Sequence, residues 1–76
     1  MKHTYNERIR ALRESHFLSQ QKVADLLFVG QRTYADYESG KIRIPVDRLM
    51  ILAKHYNVSM DYITGATDIM SEYPTK

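Results

Sequence analysis

The stretch Ser19-Gln20-Gln21-Lys22-Val23-Ala24-Asp25-Leu26-Leu27-Phe28-Val29-Gly30-Gln31-Arg32-Thr33-Tyr34-Ala35-Asp36-Tyr37-Glu38-Ser39-Gly40 decides the fold. Ser19 is an N-cap residue, able to accept a hydrogen bond from an amide that a helix start leaves unpaired. Val23, Leu26 and Leu27 then form an apolar stripe at helical spacing. Phe28-Val29-Gly30 breaks the pattern, and a new helix opens at Gln31. Tyr34 and Tyr37, three apart, should face inward, leaving Gln31, Arg32, Ala35 and Asp36 outward. Ser39-Gly40 ends this segment, since glycine suits the left-handed turn that closes a helix.

The flanks read the same way. Upstream, Thr4 and Glu7 have the spacing of a capping box. Ile9, Leu12 and His16 follow at helical spacing, with Arg8, Arg10 and Glu14 assigned to other faces, which predicts a helix from Tyr5 to Ser15. Downstream, residues 41–44 form a connector. Pro45 fits the first turn of a fourth helix, where its missing N–H costs nothing, and Asp47 suits the positive end of that helix's dipole. Leu49, Leu52, Ala53 and Tyr56 make the stripe of this helix, and Asn57 its left-handed stop. Ser59 caps a last short helix with Met60, Tyr62 and Ile63, closed by Gly65. The expected unit is all-α, a compact bundle of five short helices over residues 5–65. Residues 66–76 are expected to be a frayed or dimer-forming tail.

A chain of 76 residues supports one small core, and with no cysteine there is no disulfide to staple it. Hydrophobic residues at 43% and charged residues at 26% describe a globular domain. His3, His16 and His55 lack ligand spacing, so no metal and no cofactor is expected. No phosphate-binding glycine loop or nucleophile elbow is present, so a binding protein is expected rather than an enzyme. The start, Met1-Lys2-His3-Thr4, has no signal-peptide core and no apolar run would span a bilayer, so a cytoplasmic site is expected. The formal net charge is only +2. Beyond Gly65, Asp68 and Glu72 outnumber Lys76, so the positive charge resides in the rest of the chain. Lys41 and Arg43 form a local basic spot there.

Two helices joined by a three-residue turn have the spacing of a helix-turn-helix, although periodicity alone fits other small bundles too. Four stretches sharpen the reading: Ile9-Arg10-Ala11-Leu12-Arg13, Leu18-Ser19-Gln20-Gln21-Lys22-Val23-Ala24, Tyr37-Glu38-Ser39-Gly40-Lys41 and Val58-Ser59-Met60-Asp61-Tyr62-Ile63-Thr64-Gly65. Together, in this order, they resemble the phage-repressor and Cro-type (XRE-like) helix-turn-helix regulators, over residues 6–65. The resemblance implies a lambda-repressor-like fold and sequence-specific binding of double-stranded DNA by a transcription regulator, a repressor, working as a homodimer on a palindromic operator. It implies a structural ion pair between Arg13 and Glu38. It implies a DNA-backbone contact at Gln20, base contacts at Gln31, Arg32 and Thr33, a further contact at Asp36, and phosphate contacts at Lys41 and Arg43. The chemistry suits those roles: Gln31 can pair with adenine, Arg32 can fork onto guanine, the Thr33 methyl can meet a thymine methyl, and Asp36 can accept from cytosine.

The chain departs from that pattern at Phe28 and Gly30. Phenylalanine in a left-handed turn would be strained by roughly 1 kcal/mol, a reason to expect a different turn and a tilted third helix. Gly30 is a weaker cap than serine. Phe17 and Phe28, the only phenylalanines, are expected to be buried and to enlarge the core. Were they exposed, they would mark contacts with another protein. Tyr34, Tyr37, Tyr56 and Tyr62 are expected in the core. The alternative to DNA is a protein-binding module such as an antitoxin or anti-repressor component. A third reading is a Cro or excision-type factor that also bends DNA.

Overall fold

The computed structural model describes residues 4–74, so Met1, Lys2 and His3, and Thr75 and Lys76 at the end of the expected tail, lie outside the described part. Five helices follow one another: α1 (Tyr5–Ser15), α2 (Gln20–Leu27), α3 (Gln31–Ser39), α4 (Val46–Tyr56) and α5 (Met60–Ile63). There is no strand among the described residues.

Local chemistry places each boundary. Glu7 N donates to Thr4 Oγ1 at 3.4 Å while Thr4 N donates to Glu7 Oε1 at 3.2 Å, the reciprocal capping box expected at the start of α1. Ser19 and Ser59 cap α2 and α5, their hydroxyls accepting from Lys22 N at 3.0 Å and Tyr62 N at 3.1 Å. Three helices stop on a left-handed residue: α2 at Phe28, α3 at Gly40 and α4 at Asn57. Glycine is needed at Gly40, whose φ is +81° and whose missing Cβ would sit 3.4 Å from the Asn6 side chain. Pro45 stands one residue earlier than expected, as the N-cap of α4 rather than inside its first turn.

The core comprises Ile9, Leu12, Val23, Ala24, Leu27, Tyr34, Tyr37, Ile44, Leu49, Leu52, Ala53, Tyr56, Val58 and Ile63. α3 packs against both α1 and α2, so Tyr34 at the centre of the domain is fully buried. Tyr5 pins the α3–α4 connector by accepting from Ile44 N through its hydroxyl at 3.2 Å. Tyr62 is only half-buried, lying under the Arg8 guanidinium at 3.9 Å.

Besides Pro45 and Tyr62, four further expectations are corrected. Arg8 is not on an outer face but buried, its Nη2 donating to Asp68 Oδ1 at 2.9 Å. The charge tolerates burial because a carboxylate and an aromatic face both meet it. His16 does not extend the buried stripe of α1; it is the exposed C-cap, with its ring 4.9 Å from that of Tyr56. Residues 66–74 are not a frayed end but a strap: Thr67 N donates to the Asp61 carbonyl at 3.1 Å, Ser59 N donates to the Ser71 carbonyl at 2.8 Å, and Tyr73 packs on the core edge.

Phe17 and Phe28 provide the fourth correction. They are 95% and 86% exposed, with φ of +58° and +59°. The turn before α3 accepts the left-handed strain instead of avoiding it. The reason is geometric: Leu18 and Val29, the next residues, turn inward onto the core, which throws each phenylalanine outward.

Candidate nucleic-acid interface

The outward side of α3 presents Gln31 and Arg32, both exposed, with Thr33, Ala35 and Asp36 half-buried beside them. Gly30 precedes them as an N-cap without a side-chain hydrogen bond, so the first amides of α3 have no side-chain cap. Arg32 is 81% exposed and its Nε lies 3.7 Å from Asp36 Oδ1, an ion-pair distance but too long for a hydrogen bond. Such a surface pair is worth little, so both groups can exchange each other for another partner.

Gln31 is held differently. Its Nε2 donates to Gln20 Oε1 at 2.9 Å, and Gln20 Nε2 donates to Glu38 Oε1 at 3.1 Å. Glu38, buried, receives Arg13 Nε at 2.6 Å and Arg13 Nη2 at 3.2 Å. Arg13 Nη1 also donates to the Leu18 carbonyl at 2.9 Å, just before α2 begins. A polar chain thus runs from α1 through the middle of the motif to the exposed start of α3.

The direction of that chain is fixed by charge. Burial by itself would raise the Glu38 carboxyl, but the polar partners around it, Arg13 foremost, outweigh it and hold Glu38 below its ordinary value. An ionised carboxylate only accepts, so Gln20 must turn its amide nitrogen toward Glu38 and its oxygen toward Gln31. Gln31 then turns its nitrogen inward, leaving its oxygen and its second N–H free. Burial pushes the Tyr56 hydroxyl up to about 12, with the Glu38 charge adding to the effect. The Tyr34 hydroxyl is raised further, again first by burial. Both phenols stay neutral around the carboxylate.

Lys41 and Arg43 are exposed in the connector that leaves α3. Lys41 N and Ile42 N donate to the Asp36 carbonyl at 3.0 and 3.3 Å, tying the start of that connector to the end of α3. Of the residues singled out in the sequence, Arg13, Gln20, Gln31 and Glu38 are joined in one network. Arg32 and Asp36 form a separate pair, and Thr33, Lys41 and Arg43 enter neither. The Gln20–Glu38 bond leaves no signal in the sequence, because its partners are 18 apart with no local pattern to relate them. No cluster of His, Asp or Glu suited to a metal occurs among the described residues, and no helix there is long and apolar enough to cross a membrane.

A three-residue turn between two short helices, a third helix buttressing them and a polar, outward-facing α3 define a helix-turn-helix domain. The helix-turn-helix family model matches residues 9–63, and the chain belongs to that family. It is 41% identical over 64 residues to YobD of Bacillus subtilis, an uncharacterized HTH-type transcriptional regulator, covering 84% of this chain and 57% of that protein. It is 42% identical over 50 residues to repressor protein C of Escherichia phage P2, covering 66% of this chain and 50% of that protein. A transcriptional regulator from Listeria innocua, solved by crystallography, superposes with a TM-score of 0.79 at 32% identity, covering 86% of this chain and 61% of that one. The chain therefore spans between half and two thirds of the length of these relatives.

Proposed function

We propose that this domain reads a specific operator by placing α3 in the major groove of double-stranded DNA, and that it represses transcription by occupying that operator. The observation that carries this reading is the fixed presentation of Gln31. One free oxygen and one free N–H on an amide oriented by its bond to Gln20 match the two groups adenine offers in the major groove. Preorganising a reading group lowers the ordering cost of binding. Arg32, released from Asp36, forks onto guanine; Asp36 then accepts from a cytosine amino group. Thr33 lies at the groove edge, Gln20 reaches the sugar–phosphate backbone, and Lys41 and Arg43 add phosphate attraction without sequence information.

The operator is a palindrome bound by a homodimer. The domain measures 30 × 29 × 23 Å. Half-sites one helical turn apart are about 34 Å from centre to centre, so two domains on one face of the duplex meet edge to edge. Ile69 and Met70, 74% and 61% exposed on the docked strap, supply apolar surface for such a contact. The reading is tested by selecting bound sequences from a random duplex library near physiological salt. A palindromic motif is the expected result; no enriched sequence would overturn it.

One observation favours a second reading. Phe17 and Phe28 are large, exposed and in strained backbone conformations, and folding gains nothing from either. That is the signature of contact with another protein, as in an antitoxin or anti-repressor component. A domain that bound protein alone would enrich no DNA sequence.

A further inference from the structure

An open, largely polar cleft lies between α1 and α3, lined by Arg10, Arg13, Gln20, Ala35, Glu38 and Ser39. Its floor is already neutralised, because Arg13 is committed to Glu38 and to the Leu18 carbonyl. Arg10 is not so committed. It stands at the rim, its side chain 64% exposed, and its Nε donates to Glu14 Oε2 at 3.2 Å. Glu14 is itself 55% exposed, so this pair is solvent-screened and readily exchanged.

We infer that Arg10, on α1, is a further DNA-contacting residue that grips the phosphate strand along the α1 side of α3; the inference rests on the major-groove reading above. Gln31, Ala35 and Ser39 are spaced four apart and so share one flank of α3. A helix with its side chains is about 10–12 Å across, and the major groove is about 12 Å wide. An inserted α3 therefore fills the groove, and whatever borders its flank rests against the sugar–phosphate wall. Ala35 and Ser39 are small, which lets that wall approach the cleft. Arg10 occupies the opposite rim. Gln20, already assigned to the backbone, lines the same cleft. On binding, Arg10 exchanges one exposed carboxylate for a phosphate, and Glu14 becomes a nearby repulsive charge.

The contact contributes affinity without sequence information, and it depends on salt through counterion release. One phosphate contact gives a slope of about −0.9 in log K against log salt, equivalent to roughly fivefold in affinity near 0.15 M salt. The test is fluorescence anisotropy titration of Arg10→Ala, Arg10→Lys and Glu14→Gln against the selected operator and a scrambled duplex, over a range of salt. Circular dichroism establishes that each variant is folded. Arg10→Ala is expected to weaken both duplexes by roughly fivefold and to flatten the salt slope by about one unit. Arg10→Lys should restore most of the loss, and Glu14→Gln should tighten binding. Unchanged affinity and slope in Arg10→Ala, with the wild type binding normally, would overturn the Arg10 assignment alone. Failure of the wild type to bind any duplex would overturn the major-groove reading and this inference with it.

Discussion

Arg13 and Glu38 meet as a fork, with Nε to Oε2 at 2.6 Å and Nη2 to Oε1 at 3.2 Å, and the pair joins α1 to the last turn of α3. Glu38 has a side chain 4% exposed and Arg13 one of 13%. Removing one partner leaves the other charge buried without compensation. Glu38→Gln should destabilise the domain by about 3 kcal/mol, read from the midpoint of urea unfolding. A loss below about 1 kcal/mol, the size of a surface pair, would show that the fork contributes little to holding α3.

The same carboxyl sets a pH dependence. Its pKa is lower in the folded domain than its ordinary value. A group depressed in this way stabilises the fold above its unfolded value, about 4.3 for glutamate. That contribution is lost as the pH falls from there through the folded value. The stability difference between the wild type and Glu38→Gln should therefore be constant from neutral pH down to about 5 and shrink below about 4.3. A difference that held constant into strong acid would contradict the depressed carboxyl.

Gly30→Ser should stabilise the domain. Gly30 has an ordinary φ of −72°, a Cβ there would meet nothing within 4 Å, and α3 has no side-chain cap. The added hydroxyl can take an orphan amide, and the unfolded chain loses some freedom. A gain of about 0.5 kcal/mol, or roughly 2–4 °C in Tm, is expected in thermal unfolding.

Phe28→Asn should also stabilise. Phe28 closes α2 at φ +59° with its ring in water, whereas Asn57 closes α4 in the same conformation with a side chain that tolerates it. Relief of the left-handed strain predicts a gain of about 1 kcal/mol. If the ring is a partner contact, the same variant loses that partner while keeping its affinity for DNA, which a pulldown and a DNA titration would separate.

Arg32→Ala and Lys41→Ala should part ways on DNA. Arg32 lies on the exposed start of α3 and Lys41 in the connector beyond it. Arg32→Ala is expected to relax discrimination at one base pair by roughly 1–3 kcal/mol, while Lys41→Ala weakens cognate and scrambled duplexes alike. Equal losses on both duplexes for Arg32→Ala would remove it from the base-reading set.

The sequence by itself determined the five helices and almost all their ends. Thr4 with Glu7, Ser19, Ser59, Gly40 and Asn57 act on amides and dihedrals within a few residues, so their effect is written locally. It also determined which positions of α3 face out, because Tyr34 and Tyr37 fix the inward side by spacing alone. Tertiary structure decided the rest. Arg8 carries a charge that by type belongs in solvent, although it stands four residues before Leu12, and only the returning strap, with Asp68 some 60 residues away, makes its burial tolerable. Phe17 and Phe28 look like core residues by type, yet the inward turns of Leu18 and Val29 leave them no room. The orientation of the Gln31 amide depends on Gln20, Glu38 and Arg13, drawn from three helices. Local signals cannot encode it, because the charge that sets it is fixed only once those helices pack.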